Sequence, residues 1–176
     1  MTAAPPSIHA TTIALGEAGL VIRGASGAGK STLALALVAD WQRRGRFAAL
    51  VADDRTILTP AAGRLIARAP ARIANLVEVR GIGILDADFL PAVRVSLLVD
   101  LVAPEDAPRH PESGHESTVI GGVRLPRVVL PARRTDISMQ AIAALLAQDG
   151  LTGRPFAPQR PARTGPRRDR TEGGDR

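Results

Sequence analysis

The chain has no cysteine, and aromatic residues make up only 2% of its 176 positions. Without cysteine there are no disulfides, thiolate metal sites or thiol nucleophiles, in agreement with a cytosolic protein. With so few aromatics there is no platform for stacking the bases of a single-stranded nucleic acid. No apolar run approaches the ~18–20 residues of a membrane span, and the N-terminus lacks the basic-then-apolar pattern of a signal peptide. The remaining apolar content is 45% hydrophobic, carried by Ala, Val, Leu and Ile, and suits one compact α/β domain of ordinary size.

Acidic residues are also in the minority, giving a formal net charge of +6, but the excess is not spread evenly. Beyond Thr152 there are seven arginines against three acids, so this tail carries +4 of the total and the body is close to neutral. The tail is rich in Pro and Gly and nearly free of apolar residues, which predicts a disordered, solvated segment. Nucleic acid is therefore not the expected partner. The expected organisation is a leader over residues 1–7, a folded body over 8–150 and the tail over 151–176.

Among the motifs present, Gly24-Ala25-Ser26-Gly27-Ala28-Gly29-Lys30-Ser31 fits G-x-x-x-x-G-K-[ST] at every fixed position. It follows an apolar run, residues 18–22, that reads as a buried strand. It leads through Thr32 into a helix expected to end near Arg43 or Arg44, before Gly45. Glycines let such a loop wrap a polyphosphate, and helix-terminal amides point at its oxygens. Lys30 would reach the β- and γ-phosphates, and the Ser31 hydroxyl would ligate Mg²⁺. A short apolar strand, residues 47–52, then delivers Asp53 and Asp54. A carboxylate at the end of a parallel strand lies beside the P-loop, where one acid can serve a metal and the other a proton.

Around this centre the pattern predicts a hairpin at residues 8–22, with His9 on its first strand. Residues 55–69 read as short strands about a turn at 59–63. Residues 71–77 fit either a helix or a strand. Glu78 and Arg80 lie two apart, followed by Gly81 and Gly83 in a loop, with a brief helical turn at 86–90. Residues 93–102 are a central strand. A polar loop at 104–117 contains Arg109, His110 and His115, and loops of this length are commonly functional or disordered. A second hairpin turns at Gly121-Gly122, and an apolar run at 127–130 follows. A last helix spans 137–148, capped by Thr135 or Asp136.

Taken in this order, His9, the P-loop, Leu50-Val51-Ala52-Asp53-Asp54, Glu78-Val79-Arg80-Gly81-Ile82-Gly83-Ile84 and the 125–131 strand resemble bacterial HPr kinase/phosphorylase. The resemblance is to the family's catalytic domain, in a short form without its N-terminal domain, over about residues 8 to 148. It implies a single α/β P-loop kinase domain of the HPr kinase/PEP-carboxykinase-like kind, with a mixed sheet and hairpin additions. Residues 24–32 and Lys30 would bind ATP or pyrophosphate, and Ser31 and Glu78 would ligate Mg²⁺. Asp54, supported by Asp53, would take the proton from a serine of HPr, the small phosphocarrier of the sugar phosphotransferase system. His9 would lie near the phosphates, and Arg109 would stabilise charge on the transferring phosphoryl. The resemblance further implies a cytoplasmic homo-oligomer, hexameric in the long form.

This chain departs from the family pattern in places. Thr32 stands where the family has Glu, and the helix before Asp53 is several residues longer. The loop tied to dephosphorylation is replaced by Ala132-Arg133-Arg134-Thr135-Asp136, so the resemblance implies kinase activity more directly than phosphorylase. Two other classes share the P-loop: a small-molecule kinase, and an ATP sensor without turnover.

Overall fold

The computed structural model describes residues 7–73, 76–79, 83–86, 89–108 and 116–148. Its first hairpin forms as the sequence predicts. β1 (Ser7–Leu15) turns at Gly16 and Glu17 into β2 (Ala18–Gly24), in register from Ala10 opposite Arg23 to Leu15 opposite Ala18. After the P-loop and α1 (Lys30–Arg43), β3 (Ala48–Ala52) does not pair with β2. It pairs antiparallel with the other edge of β1, so Thr12 faces Val21 on one side and Ala52 on the other. β2 and β3 therefore run parallel with β1 between them, and both point their C-terminal ends at the same rim.

The sheet continues on the far side of β2. β8 (Val93–Val102) pairs parallel with β2, and β10 (Val123–Pro131) pairs parallel with β8. β9 (Glu116–Ile120) closes that edge as an antiparallel hairpin with β10. A second hairpin, β4 (Arg55–Ala61) and β5 (Arg64–Arg68), bridges the start of β1 and the start of β8, through His9 opposite Arg55 and Ile66 opposite Arg94. Because β2 also pairs with β8, strands β1, β4, β5, β8 and β2 form a closed ring. β6 (Leu76–Val79) and β7 (Gly83–Asp86) make a separate two-stranded sheet. The last helix is α2 (Thr135–Gln148).

Both faces of β2 are buried, which is why it reads as a continuous apolar run rather than an alternating one. Leu20 and Ile22 pack with Leu33 and Leu37 of α1, Leu97 and Val99 of β8, and Ile142 and Leu146 of α2. Val21 packs the other way, with Ala10, Leu65, Ala67 and Leu98 beneath the β4–β5 hairpin. Full burial of a large aliphatic side chain contributes roughly 1.5–3 kcal/mol, so these two layers hold the rim in place without aromatic residues at their centres.

The structure corrects several expectations. Gly83 is the first residue of β7, paired with Val79, and not a loop residue. Of the helical turn expected at 86–90, residues 87–88 lie outside the described residues, while Asp86 ends β7 and Phe89 bridges Leu50 beside β3. The undecided stretch is a 3-10 turn at Ala71–Ile73 followed by β6. β10 is one strand through Pro126, which stands opposite Ser117 of β9 one residue before the pairing with β8 begins at Arg127. Thr135 and Asp136 lie inside α2 and not at its cap. The expected roles of Arg80, Gly81 and Arg109 and the expected tail fall outside the described residues. No helix among the described residues is long and apolar enough to cross a membrane.

Candidate functional site

The P-loop leaves β2 at Gly24, whose φ of 152° and close approach to the Leu101 carbonyl leave no room for a Cβ. Ala25, Ser26, Gly27 and Ala28 make the turn, closed by the Ala28 N–H donating to the Ala25 carbonyl at 3.1 Å. Gly29, at φ 93°, is the N-cap of α1, with no side-chain cap and no acid in the first turn. The first amides and the positive end of the helix are thus left for an anion. Thr32 is exposed on that turn, and Ser31 is half-buried.

Lys30 is 7% exposed and donates to the carbonyls of Gly24 and Ala25, at 3.1 and 3.0 Å. Burial pulls its pKa below the usual lysine range, against the opposing charges of Asp54 and Asp53. It is also the chain's only lysine, all other basic residues of the Lys and Arg set being arginine.

Asp53, buried at the end of β3, accepts on one oxygen from Ser31 Oγ at 2.7 Å and from Thr11 Oγ1 at 2.9 Å. Thr11 was not among the residues expected at the site. Its only signal is a polar residue in a strand where the neighbouring inward positions, Ile13 and Leu15, are apolar. Asp54 diverges from Asp53. It is 69% exposed and its Oδ1 lies 3.2 Å from His9 Nε2. Its backbone is in the left-handed region, φ 62°, with the Arg55 N–H donating back to the Asp53 carbonyl and the Ala10 N–H to the Asp54 carbonyl. The bent backbone turns the Asp54 side chain out of the strand line toward His9. His9, Asp53, Asp54, Lys30 and Ser31 therefore come together at one rim.

On the other side of β2, Arg133 lies against the loop. Its backbone N–H donates to the Ala28 carbonyl at 3.0 Å and its Nε to the Gly27 carbonyl at 3.1 Å. Arg134 instead forms a bidentate pair with Asp136 across exposed surface. Just before the P-loop, Arg23 and Arg127 both bind Asp100, and Arg127 also reaches Glu116. Burial alone would raise the Asp100 carboxyl, but the hydrogen bonds and charges of the two arginines hold it below the usual carboxylate range. Glu78 lies on β6, and only its backbone position is described. Ser31 Oγ and Asp53 Oδ1 are hard oxygen donors side by side, of the kind Mg²⁺ accepts together with water and phosphate oxygens.

A P-loop on a mixed α/β sheet, with a carboxylate from the end of a parallel strand bonded to the loop serine, defines the P-loop kinase class of fold. Within that class the family is specific. The model described as HPr Serine kinase C-terminal domain matches residues 2–152, and the chain belongs to that family. The HPr kinase/phosphorylase of Caldicellulosiruptor bescii is 34% identical over 135 residues, covering 71% of this chain and 42% of that protein. That of Limosilactobacillus reuteri is 34% identical over 137 residues, covering 72% and 41%. The chain thus spans about two fifths of the length of these curated relatives. The solved HPr(Ser) kinase/phosphatase from Coxiella burnetii superposes with a TM-score of 0.69 at 25% identity, over 82% of this chain and 99% of that one.

Proposed function

We propose that this chain is an Mg²⁺-dependent protein serine kinase that moves the γ-phosphoryl of ATP to a serine of HPr, in the cytoplasm. The observation that carries this reading is the convergence on one rim of Lys30, the Ser31–Asp53 pair and the Asp54–His9 pair. Lys30 would exchange the carbonyls of Gly24 and Ala25 for phosphate oxygens, which relieves the cost of burying its charge. Mg²⁺, held by Ser31 with Asp53 or Glu78, would supply charge neutralisation on the phosphates. Asp54, exposed and oriented by His9, accepts the serine proton as the serine oxygen bonds to the γ-phosphorus and the bond to the β-phosphate oxygen breaks. Arg109 would stabilise charge on the phosphoryl in flight, by resemblance to the family.

The same reading assigns the reverse reaction, phosphorolysis of phosphoserine-HPr, to Asp54 acting as the acid, with pyrophosphate formed from the incoming phosphate. It takes residues 8–150 as the catalytic domain and a homo-oligomer, hexameric in the family's long form, as the assembly. The test is intact-mass analysis of HPr after incubation with the full chain and Mg·ATP. One added phosphate is expected, absent with Lys30→Ala or Asp54→Ala. Unmodified HPr despite tight ATP binding would sink the kinase reading.

A further inference from the structure

Two buried threonines follow each other on β1, and the sheet gives them different partners. Thr12 shares a hydrogen bond with Thr56 at 2.8 Å, and Thr56 donates to the Ala10 carbonyl at 3.1 Å, so that pair is satisfied within the strands. Thr11 instead meets Asp53, and a slip in the β1–β3 ladder brings this about. Ile13, Ala14 and Leu15 stand opposite Leu50, Ala49 and Ala48, but Thr12 stands opposite Ala52, which leaves Val51 as an extra residue on β3. An insertion of this kind re-aims the side chains that follow it. In unbroken register Asp53 would fall beside Ala10. With the slip it comes level with Thr11, in the row of Ile13, Leu15 and Ile22 that packs under α1. The Ala10 N–H donates to the Asp54 carbonyl, so the shifted register continues past the end of the ladder.

We propose that Thr11 is a positioning residue for Mg²⁺: its hydroxyl pins the Asp53 carboxylate so that Ser31 presents its oxygen lone pairs to the ion. The inference rests on the Mg²⁺ part of the reading above and deepens it by one residue, which acts through Asp53. An ionised carboxylate only accepts, so both hydroxyls donate to Asp53 Oδ1, Ser31 at 2.7 Å and Thr11 at 2.9 Å. With its hydrogen committed to Asp53, the Ser31 oxygen keeps its lone pairs for a cation. Their direction then follows the place of Oδ1. Ser31 is half-buried and cannot fix that place alone, whereas Thr11 is wholly buried on a strand paired on both edges. Packing does not call for a hydroxyl here, since Ile13 and Leu15 fill the same row with apolar groups. A buried hydroxyl is costly unless bonded, and a bond to a carboxylate is of the stronger, charge-assisted kind.

The experiment measures ATP binding to the full chain by calorimetry, with Mg²⁺ and with EDTA in its place, for the wild type, Thr11→Val, Thr11→Ser and Thr12→Val. Valine keeps the branched shape without the hydroxyl, and serine keeps the hydroxyl. The wild type is expected to bind ATP more tightly with Mg²⁺. Thr11→Val should lose most of that advantage, as removing a group that orients a metal ligand costs about 10–100-fold in metal affinity. Its affinity for metal-free ATP should stay at the wild-type level, which reports an intact loop. Thr11→Ser and Thr12→Val should both keep the Mg²⁺ advantage. An advantage unchanged in Thr11→Val overturns the role of Thr11 and leaves the Mg²⁺ reading standing. An equal loss in Thr11→Ser or in Thr12→Val does the same, because it traces the effect to packing. Loss of metal-free ATP binding in Thr11→Val also overturns it, by making Thr11 structural. A wild type that binds ATP equally with and without Mg²⁺ overturns both.

Discussion

Asp54 occupies a backbone conformation that costs a non-glycine residue of order 1–3 kcal/mol, and it is held there by hydrogen bonds on both sides. Its pairing with His9 is exposed and worth little to stability. Asp54→Gly should therefore melt at or above the wild-type temperature while losing phosphotransfer by at least ~10²-fold, the usual scale for a missing general base. A melt clearly below wild type would mean the carboxylate is structural. Lys30 offers a second measurement. Being the only lysine, it and the N-terminal amine are the only alkylamines an amine-specific reagent can acylate. ATP should slow the Lys30 adduct without slowing the N-terminal one, as read by peptide mass. Equal rates with and without ATP would show that the ammonium does not meet the phosphates. These residues were legible in the sequence because a P-loop and its carboxylate are defined by spacing. Thr11 and Asp100 were not, since a lone polar residue on a strand gains meaning only when pairing brings Ser31 and Asp53, or Arg23 and Arg127, beside it.

At the level of elements, the position of the rim depends on how closely β2 and β8 approach. Gly19 stands where a Cβ would meet the Arg94 carbonyl and the Val93 side chain. Gly19→Ala should cost about 2 kcal/mol as overpacking against backbone, read as a lower urea midpoint with unchanged slope. A change under about 0.5 kcal/mol would show that the two strands separate without penalty. Nearer the P-loop, Asp100→Ala leaves Arg23 and Arg127 facing each other without their shared carboxylate. The loss should be on the order of 3 kcal/mol, since a mostly buried charge pair has been broken from one side. The two helices and the hairpins β1–β2, β4–β5 and β9–β10 could be read from apolar periodicity and turn residues, and the β6–β7 pair could not. The insertion of β1 between β2 and β3 could not, because both pairings are antiparallel to β1 and either alone satisfies its pattern. Nor could the β5–β8 join, which rests on a short contact between strands separated by two further strands.

For the whole molecule, acid stability follows from the same carboxylate. The folded pKa of Asp100 is lowered, so its contribution is complete above the ordinary carboxylate value near pH ~4 and disappears as pH falls through the lower folded value. Asp100→Asn should flatten the fall in stability below about pH 4 relative to wild type, measured by urea unfolding across that range. An unchanged pH profile would assign the acid sensitivity elsewhere. Residues beyond 152 carry seven arginines and three acids and lie outside the family match. Their removal takes away charge but no core residue of the described fold. The expected change in unfolding free energy is less than about 0.5 kcal/mol, as for surface substitutions.

The ring formed by β1, β4, β5, β8 and β2 has a mechanical meaning. A sheet with free ends can splay or change its twist as a ligand enters. Here β1 and β2, whose ends carry His9 and the P-loop, are hooped together through a second path, β4 and β5 back to β8. Opening the angle between them would break hydrogen bonds on both paths at once. The strand ends at the rim are consequently held in distance and direction as a ligand enters.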